Sequence, residues 1–301
     1  MDVAGSTIDT PLSDPAATGG GAPISEAEAL RRLRQCEDQS LQYYAAWWLG
    51  RMRSRHPDAV PLLCVALRQR QPRQLDAGVE HNAVARNAAR ALGKLGSVDA
   101  VADLIEALDD EDDGLREAAA RALGELGATA AVEPLCRRLA SGPAVAGAVQ
   151  PASSRLQEPC EALLEALGSL GQATPTVLAV IEPFVAHERP LIRSAACRAL
   201  LQLTGDQRWG EQLVQLLDHP QLQVRRAALM DLGAAGWRPA LEPIRRTLAE
   251  NSLKLIALRG LAENLQPPAL SDAADGTGHT TGSPHPDPAT TAVLAVMDDL
   301  L

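Results

Sequence analysis

The stretch Arg86 to Gly96 reads RNAARALGKLG, and 31 residues later Glu117 to Gly127 reads EAAARALGELG. A chain that repeats at such a period folds as an array, because each copy presents an apolar surface that only its neighbours can cover. Looser copies follow: EALLEALGSLG ending at Gly171, SAACRALLQL ending at Leu203, and RAALMDLGAAG ending at Gly236. The leucine of each Leu-Gly step sets a register through Leu49, Leu92, Leu123, Leu167, Leu200, Leu232 and Leu261. Its intervals run 43, 31, 44, 33, 32 and 29 residues. The two long ones mark insertions near Arg68–His81 and Ser141–Gln157, where Pro, Gly, Gln and Ser accumulate as they do in loops.

Ala and Leu make up about a third of the chain, β-branched residues are few and aromatics are only 2%. That composition favours helices and disfavours strands, so the fold class is all-α. Second helical patterns lie between the anchor helices, at Val98–Leu108, Ala131–Leu139, Thr176–Val185, Gly210–Leu217 and Pro239–Leu248. Each repeat is therefore a helical hairpin, and the whole resembles a HEAT-like α-solenoid of about seven hairpins, spanning 25–266. Residues 1–24 and 267–289 are rich in Gly, Pro, Ser, Thr and Asp and read as disordered tails. Residues 290–301 form a short amphipathic helix that caps the array or docks a partner.

Net charge is −10, which argues against a general nucleic-acid binder, since neutralising phosphates supplies most of that affinity. The sign varies along the chain: residues 51–95 hold nine basic side chains against three acidic, and 96–188 hold five against sixteen. The five cysteines are scattered without metal spacing, and no basic leader precedes an apolar core. No uncharged apolar stretch reaches the length of a membrane span. The expected setting is the cytoplasm, with no transmembrane segment and no metal.

Register allows positions to be compared between repeats. Three and four residues before the anchor stand Ala45/Ala46, Ala88/Ala89, Ala119/Ala120, Leu163/Leu164 and Ala196/Cys197. With the anchor and the residue three later (Met52, Leu95, Leu126, Leu170, Leu203) these form the expected buried stripe. Seven before it, Arg116, Arg193, Arg225 and Lys254 read as residues that bond neighbouring turns. Positions six and two before the anchor share one helix face and carry Tyr43 and Trp47, Arg86 and Arg90, Glu117 and Arg121, then Arg198, Arg226 and Arg259. HEAT geometry places these helices along a concave surface, so a groove is expected that begins with aromatics and continues with guanidiniums. Such a surface suits a flat, conjugated dianion; a solvated face of Arg–Glu pairs is the bland alternative. One before the anchor the row is small (Ala91, Ala122, Ala166, Ala199, Gly260) except at Trp48 and Asp231. Trp48 either caps the first repeat or meets a ligand. Asp231 either caps a turn or accepts hydrogen bonds from a ligand's N–H groups.

Catalytic signatures are otherwise missing: there is no Gly-rich phosphate loop, nucleophile elbow or zinc spacing. Only His187 among six histidines is followed by Glu, so the repeated His-Glu pairs of a di-iron HEAT hydroxylase are absent. Cys160 and Cys197 fall in packing rows, while Cys36, Cys64 and Cys136 lie in apolar helix patterns.

At Tyr43-Tyr44-Ala45-Ala46-Trp47-Trp48-Leu49-Gly50-Arg51 the sequence resembles the E subunit of the heterodimeric phycocyanobilin lyases. Leu203-Thr204-Gly205-Asp206, Met230-Asp231-Leu232-Gly233, the run Glu250 to Arg259 (ENSLKLIALR) and the ending Val296 to Leu301 (VMDDLL) extend the similarity. It covers about 30–266 and the last dozen residues; the long segment 267–289 and the insert near 141–157 depart from it. The resemblance implies a subunit that works with a related F subunit to attach phycocyanobilin, an open-chain tetrapyrrole, to a cysteine of the phycocyanin α-subunit apoprotein through a thioether. It requires no separate cofactor, the bilin being substrate. Combined with the row positions, it implies Arg86, Arg90, Arg121 and Arg198 at the propionates, Asp231 at the ring nitrogens, and Tyr43, Trp47 and Trp48 stacked on the bilin plane. The alternatives are a non-catalytic scaffold or chaperone for bilin or phycobiliprotein, and a lyase that also isomerises its bilin.

Overall fold

The structure, a computed structural model, describes residues 24–70, 82–151, 153, 155–265 and 287–301. The two expected tails, apart from residue 24 and residues 287–289, and most of the first insertion lie outside the described residues; 288 and 289 belong to the last helix.

The described chain forms sixteen α-helices and no paired strands beyond one isolated bridge between Val149 and Leu156. Fourteen of them pair into seven hairpins. The first helices are α1 (Glu26–Arg34), α3 (Ala59–Arg68), α5 (Val101–Ala107), α7 (Val132–Leu139), α10 (Pro175–Ile181), α12 (Gln207–Leu216) and α14 (Leu241–Arg246). The second helices are α2 (Gln39–Arg51), α4 (Ala83–Leu95), α6 (Asp113–Glu125), α9 (Cys160–Leu170), α11 (Pro190–Thr204), α13 (Leu222–Ala235) and α15 (Asn251–Glu263). Each second helix packs on its own first helix and on the second helices before and after it, which makes a two-layered all-α solenoid. The short α8 (Pro143–Ala146) lies in the second insertion, and α16 (Pro288–Leu300) packs on α15 at the end of the array.

Helix ends follow local chemistry. Asp38, Asp112, Thr174, Asp206 and Asp287 each accept a backbone N–H at a helix start. Gly96, Gly127, Gly171 and Gly236, each four residues past an anchor, turn the chain out of the helix at φ between 63° and 74°, a conformation that side chains with a Cβ resist. The first repeat has Arg53 there instead, at φ 49°.

All seven anchor leucines are buried, with at most 3% exposure. Burying each contributes about 1.5–3 kcal/mol. The residues three and four before them are buried as well. The residue three after the anchor is less consistent: Leu170 is buried, Leu95, Leu126 and Leu203 are half-buried, and Met52 is 60% exposed. Met52 leaves the expected stripe because α2 has already ended at Arg51 and the chain then turns through left-handed Arg53. The basic row holds the loops. Arg116, Arg193 and Arg225 each donate to the carbonyl six residues earlier, of Asp110, His187 and His219, while Lys254 Nζ donates to Arg245 O.

The Leu-Gly step has a structural cause. A Cβ built on Gly50 would fall 2.8 Å from Ala91 Cα, one on Gly93 2.9 Å from Ala122 Cα, and one on Gly168 2.7 Å from Ala199 Cα. Glycine one past the anchor therefore seats the small residue one before the next anchor, and successive second helices approach backbone to backbone. At α11 the glycine is replaced by Leu201, and the residue facing that step on α13 is Asp231.

Candidate functional site

Along the second layer, the positions six and two before the anchor form the face turned away from the first layer. Its opening is aromatic. Trp47 is 39% exposed, and Tyr43 and Trp48 are half-buried against the core. Tyr43 and Tyr44 meet edge to face with ring centroids 5.5 Å apart, and Asn87 of α4 donates to Tyr43 O at 3.1 Å. The first contact orients the two tyrosine rings and the second ties the backbone of α2 to α4, while the Trp47 indole stays open.

The four guanidiniums of this face are not alike. Arg86 is bound to Asp112 at 2.8 Å, both side chains being nearly buried. Asp112 is also the N-cap of α6; burial opposes its ionisation, but Arg86 and the Leu115 N–H outweigh that and hold its carboxyl below the ordinary range. Arg121 bridges two helices, with Glu165 at 2.5 Å and Glu117 at 3.2 Å. Arg198 lies between Asp231 at 3.4 Å and Glu165 at 3.8 Å. Arg90 is exposed and has no ion pair or hydrogen bond among the described residues.

Asp231 neither caps a turn nor faces open solvent. It is 6% exposed and accepts Ser194 Oγ–H at 2.5 Å as well as the Arg198 contact. Burial pushes its carboxyl up to about 6, with Arg198 pulling down and Glu165 adding to the rise. Glu161, on the same face of α9, is also raised, by burial and then by Glu165 and Glu117. Arg198 Nε and Gln202 Oε1, one turn apart on α11, are buried with no hydrogen-bond partner among the described residues. The middle of the face is thus an acid-rich network, Glu117–Arg121–Glu165–Arg198–Asp231–Ser194. It can hold a proton near neutral pH and offers both donors and acceptors.

The sequence rows stop short of one position. Two residues past the anchor, a further turn along the same face, stand Arg51 on α2 and Lys94 on α4, both exposed and without an ion pair among the described residues. Extending the four-residue spacing by one step finds them. The cysteines are not exposed on the face. Cys64, Cys160 and Cys197 are buried, and burial pushes their thiols up to about 12. Cys36 sits in the α1–α2 turn rather than in a helix and accepts Gln69 Nε2–H at 3.4 Å. Among the described residues no group of His, Cys, Asp and Glu could hold a metal ion, and no helix is long and apolar enough to cross a membrane.

Comparison with known proteins fits this architecture. HEAT repeats match over residues 74–150, and the PBS lyase HEAT-like repeat matches over 41–69 and 224–250. The phycocyanobilin lyase subunit alpha of Synechocystis sp. (strain ATCC 27184 / PCC 6803 / Kazusa) is 46% identical over 275 residues, 91% of this chain and 95% of that protein. The chain belongs to the family of phycocyanobilin lyase alpha subunits. The bilin biosynthesis protein RpcE of Synechococcus sp. (strain WH8020) is 50% identical over 264 residues, 88% of this chain and 99% of that protein. Among solved structures, a chain in the complex of CpcE and CpcF of phycocyanin lyase from Nostoc sp. PCC7120 is 38% identical, with a TM-score of 0.79, covering 97% of this chain and 100% of that one. The matched chain of that complex shares the overall fold of this one.

Proposed function

We propose that this chain is one subunit of a bilin lyase which, with a related F subunit, attaches phycocyanobilin to a cysteine of the phycocyanin α-subunit apoprotein. What carries the reading is 46% identity across 91% of the chain to a protein named phycocyanobilin lyase subunit alpha, with 50% identity to a bilin biosynthesis protein beside it. The complex of CpcE and CpcF supports pairing with an F subunit. In the reaction the acceptor thiolate adds to the exocyclic ethylidene carbon of ring A. One C–S bond forms, the ethylidene π pair moves into the ring system, and a proton completes the addition, so no group leaves. The enzyme therefore has to bind, orient and protonate rather than supply a nucleophile. The exposed Trp47 indole, with Tyr43 and Trp48 behind it, offers a wall for the conjugated plane. Asp231, poised near neutrality, suits the ring nitrogens: ionised it accepts N–H, protonated it supplies a proton. Arg90 is free to take a propionate, whereas Arg86, Arg121 and Arg198 must first release carboxylates of their own.

The test combines this chain, its F-type partner, α-phycocyanin apoprotein and phycocyanobilin. A covalent, acid-denaturation-stable adduct that requires both chains is the expected result. Equal adduct without this chain would make it a scaffold and overturn the reading.

A further inference from the structure

Eight cations stand at the three positions that make up the exposed face of the second layer: Arg51, Arg86, Arg90, Lys94, Arg121, Arg198, Arg226 and Arg259. Five are matched by carboxylates, with Arg226 on Glu250 at 2.7 Å and Arg259 on Glu263 at 2.8 Å completing the pairs given above. The three without an ion pair among the described residues, Arg51, Arg90 and Lys94, all belong to the first two second-layer helices, and of these only Lys94 feels a carboxylate, Glu125 of α6. They are also neighbours. Helices α2 and α4 touch at Gly50 and Ala91, where an added Cβ would fall 2.8 Å from Ala91 Cα. Arg51 and Arg90 are the residues next to that contact, and Lys94 follows Arg90 by one turn, about 6 Å along the axis. Trp47 precedes Arg51 by the same distance.

We infer that Arg51, Arg90 and Lys94 form a carboxylate clamp beside Trp47 that binds the two propionates of the bilin, and that Arg51 and Lys94 are bilin-binding residues of this subunit. The inference rests on the lyase reading. Three like charges gathered with only one carboxylate nearby, Glu125 acting on Lys94 from beyond ion-pair distance, raise the local potential and cost stability until a ligand neutralises them. Packed helices lie about 8–10 Å apart, so the clamp spans the reach of two carboxylates on one small molecule. The Trp47 indole at its edge places a stacking surface where the conjugated plane of that molecule has to lie. An acidic protein surface is the competing occupant; a patch this small with one exposed indole fits a conjugated dicarboxylate better.

The experiment uses the complex of this chain with its F-type partner and compares wild type with the triple variant Arg51→Gln, Arg90→Gln, Lys94→Gln. Binding of phycocyanobilin, and of its dimethyl ester, is read by absorbance titration. The triple variant should bind phycocyanobilin at least tenfold more weakly, while the two complexes bind the ester alike; each lost charge-assisted contact is worth about a tenfold change or more. Without bilin, the melting temperature of the variant should equal or exceed that of wild type, an outcome a structural role for these cations does not give. The single variant Lys94→Arg should restore most of the affinity when Arg51 and Arg90 are intact. Unchanged phycocyanobilin affinity in the triple variant overturns the clamp, and so does loss of co-elution with the partner or the apoprotein, which would assign the cations to a protein surface. Absence of adduct from the wild-type complex would instead count against the lyase reading, and the titration still decides the clamp.

Discussion

Two stretches of one face behave in opposite ways. On α2 and α4 the positions facing away from the first layer carry an open indole and three cations that form no ion pair among the described residues. On α9, α11 and α13 the same face carries a hydroxyl, Ser194, and an arginine, Arg198, already shared between acids, one of them the buried Asp231 beside that face. The repeat supplies identical backbone slots to both. What differs is whether neighbouring hairpins bring counter-charges, and this divides one continuous surface into an end ready to receive an anion and a middle ready to hold or give a proton.

The contrast is broken most severely by removing Arg198. Arg198→Met leaves Asp231 buried without its cation and should cost about 3–5 kcal/mol in urea unfolding at pH 8, whereas Arg90→Met should stay within about 0.5 kcal/mol. Equal costs would mean that the two stretches are not electrostatically distinct. Next comes pH. Asp231 is raised from 3.8 to about 6 in the folded chain, so between those values the native state holds a proton that the unfolded state has lost. Stability from this group is therefore greatest in acid, falls as pH climbs through that window by about 3 kcal/mol at most, and is level above it. Asp231→Asn should remove that slope; the wild-type-minus-variant difference across pH 4 to 8 measures it. Smaller still, Trp47→Ala should weaken bilin binding about fivefold while leaving stability nearly unchanged, since the indole is open and stacking of aromatic planes is worth about 1 kcal/mol. The mildest change is Arg53→Gly, which relieves a left-handed side chain and should raise the urea midpoint by an amount worth about 1 kcal/mol.

The hairpin array was legible because its signals are local: Leu at the anchor, Ala three and four before, Gly one and four after. The basic row was legible for the same reason, as Arg116, Arg193 and Arg225 reach carbonyls only six residues away. The state of the site's charges was not. Arg86 finds Asp112 26 residues on, Arg121 finds Glu165 44 residues on, and Arg198 finds Asp231 33 residues on. Register alone names the arginines without naming these partners, so four guanidiniums looked equivalent where one is free. Asp231 was visible as an exception to a small-residue row, and Leu201, which replaces the glycine at the matching register position on α11, was a second exception. Read together, the missing glycine and the added carboxylate mark one site on the α11–α13 step.

The glycine steps carry a consequence for how such a surface changes over time. Distances between adjacent second-layer helices are set by whether a single carbon is present at Gly50, Gly93 or Gly168. None of these glycines needs to touch a ligand. The breadth and curvature of the face are thus encoded in atoms behind it, and one-carbon changes there can retune the opening for a differently shaped chromophore or acceptor while every contact residue stays the same.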